Sequence, residues 1–374
     1  MPRRVESTLS CLNSRRGQGR QGQRGLTLVE LMVAVALGML IVAGMLALVA
    51  LNSSNRAELD KAGRQIENGR FAIQKLSEDI QNAGYFGDYY SAPRPGQAGF
   101  PTALLLPAAC STTATVLATA ASFPVQGYAN VSTTDRSSLL PCIPEADFLP
   151  GSNVLVVRFA SPVAALTDGW SSSSPLENDV MYLQANVSDI VFGTKAQAAN
   201  FTLQNNTAAS LAAAPVHRLV TRIYFVGNCG RFAAGQTSCT SAADGGLPVP
   251  SLRMVEMGAG SAGAGAAFSS RSVAIAEGIE VLEFDYGIDA DGDGAVSSLS
   301  RTPTVDQFGN VLAVRVSLIA RNSEPTAGYV DDKVYVVGSR YPVGTEFNPA
   351  AKNFKRHQFQ ATVRVVNAAL RRDQ

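Results

Sequence analysis

The 374-residue chain has almost balanced charge, 31 Lys and Arg against 30 Asp and Glu, with 46% hydrophobic residues and only 16% charged ones, low for an ordinary cytosolic protein. The balance hides an asymmetry: Arg3, Arg4, Arg15, Arg16, Arg20 and Arg24 face one acid, Glu6, within residues 1–25, which leaves 25 basic and 29 acidic side chains and a formal charge of −4 in the rest. No basic patch interleaved with aromatics follows, so the electrostatic footprint of a nucleic-acid-binding protein is missing and no nucleic-acid partner is expected.

Positive charges ahead of a first hydrophobic segment stay on the cytoplasmic side, so everything after Leu51 is expected across the membrane. The apolar run Leu31 to Leu51 is 21 residues long, enough at about 1.5 Å per residue to cross a hydrocarbon core of about 30 Å. It is longer than the apolar core of a secretory signal and ends in Asn52-Ser53-Ser54-Asn55 without a small-residue cleavage site. Beyond it, Leu59, Ala62, Ile66, Ile73, Leu76, Ile80 and Ala83 recur at three- and four-residue spacings while Glu58, Asp60, Lys61, Arg64, Glu67 and Arg70 take the other faces, which predicts an amphipathic helix. With no proline between Leu26 and Tyr90, the two segments predict one rod of some 55 residues, about 80 Å long. Gly38, Gly44 and Gly69 are its soft points, and Gly84 and Gly87 are expected to end it.

Residues 91–150, rich in Pro, Ser, Thr, Ala and Gly, read as an elaborated loop region. Strand-like runs then recur at Val154–Phe159, Val180–Leu183, Leu219–Val226, Ser272–Ala276, Ile279–Tyr286, Leu312–Ala320, Lys333–Val337 and Phe359–Val366. Turn-rich material, not helices, separates them, so the fold class is α+β with an antiparallel sheet. The tract Met257 to Ala267 reads as a flexible loop, and its literal G-x-G-x-x-G at Gly258, Gly260 and Gly263 lacks the strand–turn–helix context of a nucleotide site.

Cys11 falls in the basic segment, leaving Cys110, Cys142, Cys229 and Cys239, an even set in a compartment that permits disulfides. Three pairings are open, and proximity favours Cys110 with Cys142 and Cys229 with Cys239. Asp289, Asp291 and Asp293 alternate ahead of Gly294, at position six of an EF-hand-like calcium loop, but position twelve is Ser300, not Glu. Calcium binding and a plain Asp/Gly turn are both open; a missing calcium ligand would come from Glu283, Asp285 or Asp306. His217 and His357 are the two histidines and no nucleophile, P-loop or zinc-protease motif accompanies them, so no enzyme is expected. Trp170, in a polar loop, reads as an anchor tucked onto the sheet.

The basic segment ending in glycine, the stretch Gly25-Leu26-Thr27-Leu28-Val29-Glu30-Leu31, the spanning run and its amphipathic continuation together resemble a type IV prepilin. The resemblance implies a leader at 1–25, an assembly helix at 26–52, its continuation at 53–87 and an extracytoplasmic domain at 88–374. It implies cutting after Gly25 by the prepilin peptidase, N-methylation of Leu26 (where the family usually has phenylalanine), and an assembly role for Glu30. Ala276 to Asp289, running into Asp291-Gly292-Asp293-Gly294, and Val311 to Asn322 are similar to PilW-type minor pilins. That likeness implies a pilin fold, partners among other minor pilins and the major pilin, a place in the bacterial inner membrane with the C-terminal domain in the periplasm, and then the pilus. A minor pseudopilin of type II secretion and a calcium-binding tip adhesin are the alternatives. For Glu30 itself two roles are open: pairing with the N-terminal amine of a neighbouring subunit, or closing a capping box with Thr27.

Overall fold

The computed structural model describes residues 25, 27–100, 105–123, 125–171, 173–207, 210–259 and 265–370. The chain divides into two compact units, residues 1–57 and 58–374, and the helix α1 (Leu28–Asn82) contributes to both. In the first unit the apolar side chains from Leu28 to Leu51 are exposed, and α1 is long and apolar enough there to cross a membrane. The helix is unbroken without proline, and it stops at Asn82. Gly84 and Gly87, at φ of +75° and +66°, take the left-handed backbone that turns the chain away, as the sequence predicts.

In the second unit the segment after α1 contains α2 (Ala114–Ala120), β1 (Val125–Tyr128) and α3 (Thr133–Leu139), so residues 91–150 are more regular than a loop. Ser132 and Asp135 form a reciprocal capping box at the start of α3. The strands β2 (Val154–Leu166), β3 (Tyr182–Ala185), β4 (Ile190–Gly193), β5 (Gln204–Thr207), β6 (Ser210–Ala213), β7 (Val216–Gly227), β8 (Ser251–Ala259), β9 (Ala266–Phe268) and β10 (Val273–Glu277) follow. The chain ends with β11 (Ile279–Ile288), β12 (Ser298–Ser300), α4 (Val305–Phe308), β13 (Val311–Arg321), β14 (Arg356–Arg364) and α5 (Val366–Leu370).

Every strand pairing is antiparallel. One sheet runs β1-β2-β7-β3-β4, with β8 on the far end of β7 and β9 and β10 on β8; a second runs β12-β11-β13-β14; β5 and β6 pair alone. The Gly/Ala tract is not simply a loop: Met257, Gly258 and Ala259 pair with Phe268, Ala267 and Ala266. Gly258 therefore lies in a strand, and Gly260 and Gly263 lie outside the described residues. Lys333–Val337 is held by isolated bridges at Tyr335 and Val337, not by a strand.

Ala72, Leu76 and Ile80 of α1, with Ala83 just beyond its end, pack with Leu155 and Val157, Tyr224 and Val226, Leu282 and Phe284, and Val314, Val316 and Leu318 in one core shared by helix and both sheets. Each fully buried aliphatic side chain stabilises the fold by about 1.5–3 kcal/mol. The opposite faces are covered too: Val156, Ile223 and Phe225 lie under Leu140, Ile143 and Phe148, and Val281 and Ile319 under Tyr335 and Val337. Strands buried on both faces explain why β7, β11 and β13 read as near-continuous apolar runs. The sequence period fails at Leu59 and Ile66, which are 71% and 39% exposed, while Gln65, Gly69 and Asp79 take inward positions.

Candidate processing and assembly site

Gly25 is exposed, with open space around its Cα, which is what a peptidase needs at a scissile bond. Leu26, the expected site of cutting and methylation, lies outside the described residues. Thr27 starts α1: its carbonyl accepts from the Leu31 amide at 3.1 Å and its Oγ1 from the Glu30 amide at 3.3 Å. The cap is therefore made by the threonine hydroxyl and the Glu30 backbone. Among the described hydrogen bonds the Glu30 carboxylate makes none, and it sits exposed in the first helical turn, where the positive end of the helix dipole favours an anion.

The second unit is held together by buried charge that the sequence reading did not anticipate. Asp79 of α1, nearly inaccessible, accepts from Arg222 Nη1 at 2.9 and 3.0 Å, from the Tyr224 hydroxyl, and from Lys75 Nζ at 3.2 Å. Burial first, and then the Asp79 charge, push the Tyr224 hydroxyl far above the ordinary tyrosine range. Burial works to lower Arg222, but the carboxylates of Glu256 and Asp79 outweigh it and raise the guanidinium above its ordinary value. The signal was present as Asp79 at an inward position of the helical period, where a lone carboxylate requires a cation.

On the outer face of β11, Glu283 meets Arg301 at 3.1 Å and Arg340 at 3.0 Å, and Asp285 meets Arg315 at 2.8 Å. Asn153 also donates to Glu283, and the Ser339 amide to Asp285. These two carboxylates fasten the segment before β14 onto the sheet. They are committed to arginines and do not join the aspartate loop, against the expectation that either would complete a calcium site.

Within that loop Asp289, Asp291 and Asp293 each bring a carboxylate oxygen within 4.8 Å of the others. Asp289 accepts from the amides of Gly292 at 2.6 Å and Gly294 at 3.1 Å, and Asp293 from that of Ala295 at 2.7 Å, so the loop is also a set of amide-closed turns. Ser300, at position twelve, is paired with Tyr286 in the sheet. Three hard oxygen donors suit a calcium ion in kind, and Asp306 sits apart in the first turn of α4. Cys110 is bonded to Cys142 and Cys229 to Cys239, the pairing that proximity favoured.

Comparison with known proteins meets this geometry at both ends. Residues 20–46 match the prokaryotic N-terminal methylation motif, and residues 224–367, from the middle of β7 to α5, match type IV pilus-assembly protein W. Over these two segments the chain resembles a type IV prepilin of the PilW type.

The first match contains Gly25 and Glu30 with the start of the apolar run; it implies processing by a prepilin peptidase and assembly with other pilins. The second contains the aspartate loop and the ion pairs of β11. A solved type IV-like pilin from Thermus thermophilus is similar at 16% identity, over 40% of this chain and 78% of its own, with a TM-score of 0.20. No curated protein sequence matches. Elsewhere in the chain, His217 is buried with Nδ1 2.8 Å from the Ser161 carbonyl, and His357 lies exposed against Phe359. Neither ring reaches a nucleophilic side chain among the described hydrogen bonds. Trp170 packs beside Leu176, Val180 and Tyr182, as a loop anchor does.

Proposed function

We propose that this minor pilin is cut after Gly25, methylated on the new amine of Leu26, and held in the bacterial inner membrane by α1 with its C-terminal unit in the periplasm. It then enters a type IV pilus with other minor pilins and the major pilin, primes assembly and sits at or near the tip. The observation that carries this reading is the Glu30 carboxylate, left out of its own helix cap five residues after the scissile glycine. A charged N-terminal amine on a neighbouring chain would meet it, fix the axial stagger of packed helices, and offset the several kcal/mol that each charge costs when it leaves water. Methylation leaves that amine charged.

Two measurements test this. Mass spectrometry of the mature chain is expected to find N-methyl-leucine from Leu26 at the terminus; a chain that keeps residues 1–25 refutes the reading. Glu30→Ala is expected to leave cutting intact while reducing incorporation into shed pili at least about tenfold, the effect of a pair contributing about 1.4 kcal/mol. Normal incorporation of that variant refutes the pairing.

A further inference from the structure

Sheet edges invite pairing by other chains, and proteins blunt them with short strands, bulges, lysine or proline. Among the outermost strands of the two main sheets, all but one follow this rule. β1 and β4 are four residues long, β9 and β12 three, and β10 has a break in register between Ala274 and Ala276. β14 runs nine residues against β13 without a break, and Arg-His-Gln-Phe-Gln-Ala-Thr-Val-Arg contains neither lysine nor proline.

The direction of its open side follows from the ladder. The Asn322 amide donates to the Lys355 carbonyl and the Val365 amide to that of Leu312, so odd-numbered positions form the hydrogen-bonded pairs with β13. Gln358, Gln360 and Thr362 therefore turn their N–H and C=O groups outward. None of those groups has a partner among the described hydrogen bonds.

Exposed apolar side chains flank this edge on both faces. α1 runs along β14, with Glu58 on Lys355 at 2.8 Å, Gly69 against the Phe359 ring, and Asn367 Nδ2 on the carbonyls of Gln81, Asn82 and Ala83. Asn68, on the helix's other flank, bonds the Glu277 carbonyl. At about 100° per residue, Leu59 and Ile66 then project past Phe359 toward the open edge. This accounts for the two positions where the amphipathic period leaves apolar residues outside. On the far face Gln358 Nε2 donates to the Val336 carbonyl, and Val336 is 40% exposed.

We propose that β14 is a docking edge that takes one extended strand from a different pilus subunit. That strand carries apolar side chains at alternate positions, over Leu59 and Ile66 on one face and Val336 on the other. Arg70, on the same helix flank and exposed, gives the rim positive charge that an acidic residue of the partner complements. A second copy of this chain fits poorly, because two β14 edges meeting about a two-fold axis would bring Arg70 of each copy to the same rim, like charge against like. The inference rests on the pilin reading above.

The test uses the full chain in its native membranes and sheared pili, with a photoreactive phenylalanine analogue in place of Gln358, Gln360 or Thr362. Cross-links are expected on one pilus protein other than this chain, at every second residue of a single segment. With the analogue at Gln358, Gln360→Pro or Thr362→Pro removes one outward donor while sparing the bonds to β13. Each is expected to lower the yield about fivefold, the effect of one backbone hydrogen bond, whereas Gln360→Ala leaves it unchanged. Cross-links to copies of this chain, cross-links repeating every three or four residues along a neighbour's helix, or none in chains with a wild-type melting temperature overturn the proposal. Mass spectrometry of the same material separates the two claims: a chain cut at Gly25 without such cross-links refutes only the docking edge, and an uncut chain refutes the pilin reading.

Discussion

Replacing Asp79 by alanine tests what fixes α1 on the sheet. The carboxylate is 3% exposed and holds Arg222, Tyr224 and Lys75 together. Tyr224, fully buried, would lose its acceptor, at a cost of about 1–3 kcal/mol. Breaking a buried ion pair costs about 3–5 kcal/mol when the remaining charge stays dry. Here Arg222 is 21% exposed and keeps Glu256 at 2.7 Å, and Lys75 is 24% exposed, so both rehydrate and that part falls to about 1–2 kcal/mol. The sum is about 3 kcal/mol, or roughly 4–5 °C in the melting temperature of the full chain in detergent, followed by circular dichroism. Asp79→Asn, which keeps an acceptor for Tyr224, is expected to lose about half as much. In a double-mutant cycle with Tyr224→Phe the coupling is expected to reach about 1 kcal/mol. A loss below about 2 °C for Asp79→Ala, or strict additivity with Tyr224→Phe, would refute the reasoning.

Glu58 gives a pH signature. Hydrogen bonds from Lys355, Thr326 and Lys61 lower its carboxyl from 4.5 to about 2, so its contribution is complete above pH 4.5 and disappears as pH falls toward 2. Glu58→Gln is expected to flatten the decline in melting temperature across that window; an unchanged slope counts against the assignment. Removing Cys110–Cys142, which closes 32 residues, is expected to cost about 3.5 kcal/mol, and removing Cys229–Cys239, which closes 10, about 2.5 kcal/mol. Melting curves of the paired Cys→Ala variants check the order. Calcium at about ten times its Kd is expected to add about 1.4 kcal/mol through Asp289, Asp291 and Asp293, and Asp291→Asn to abolish the gain; equal melting temperatures in calcium and chelator retire the metal.

The helix, its stop at Gly84 and Gly87, and the long strands were legible because each rests on a local signal: an apolar run, a 3.6-residue period, a positive φ that glycine supplies. The edges of the first sheet were not legible. β1 and β9 are short and carry Gln, Gly and Ala, which have no strand preference, while β4 has the strand formers Ile190, Val191 and Phe192 but is only four residues long, so pairing with longer neighbours decides all three. Gly69 shows the limit from the other side. By propensity it weakens the rod by about 1 kcal/mol relative to alanine, yet a Cβ there would run into the Phe359 ring. The contact spans 290 residues of sequence, and no local period contains it. At the assembly site the sequence supplied the residue types and spacing, while the division of labour in the cap, hydroxyl and amide engaged but carboxylate not, required coordinates.

The treatment of acids across the second unit bears on Glu30. Asp79, Asp147, Glu283, Asp285, Asp289 and Asp331 are each at most 2% exposed, and every one has donors on its oxygens. Asp147 takes Ser272 and the Cys239 amide, and Asp331 takes Arg356 and Tyr335. These carboxylates leave water only with partners supplied by their own chain, as the desolvation cost of a lone charge demands. Glu30 stands at the threshold of a helix whose next 21 residues are apolar and exposed. Once that helix is surrounded by lipid or by other helices, the same cost applies, and its own cap engages the Thr27 hydroxyl and a backbone amide but not the carboxylate. On the reading proposed above, the missing cation comes from another chain, where cutting at Gly25 would make a terminal amine available.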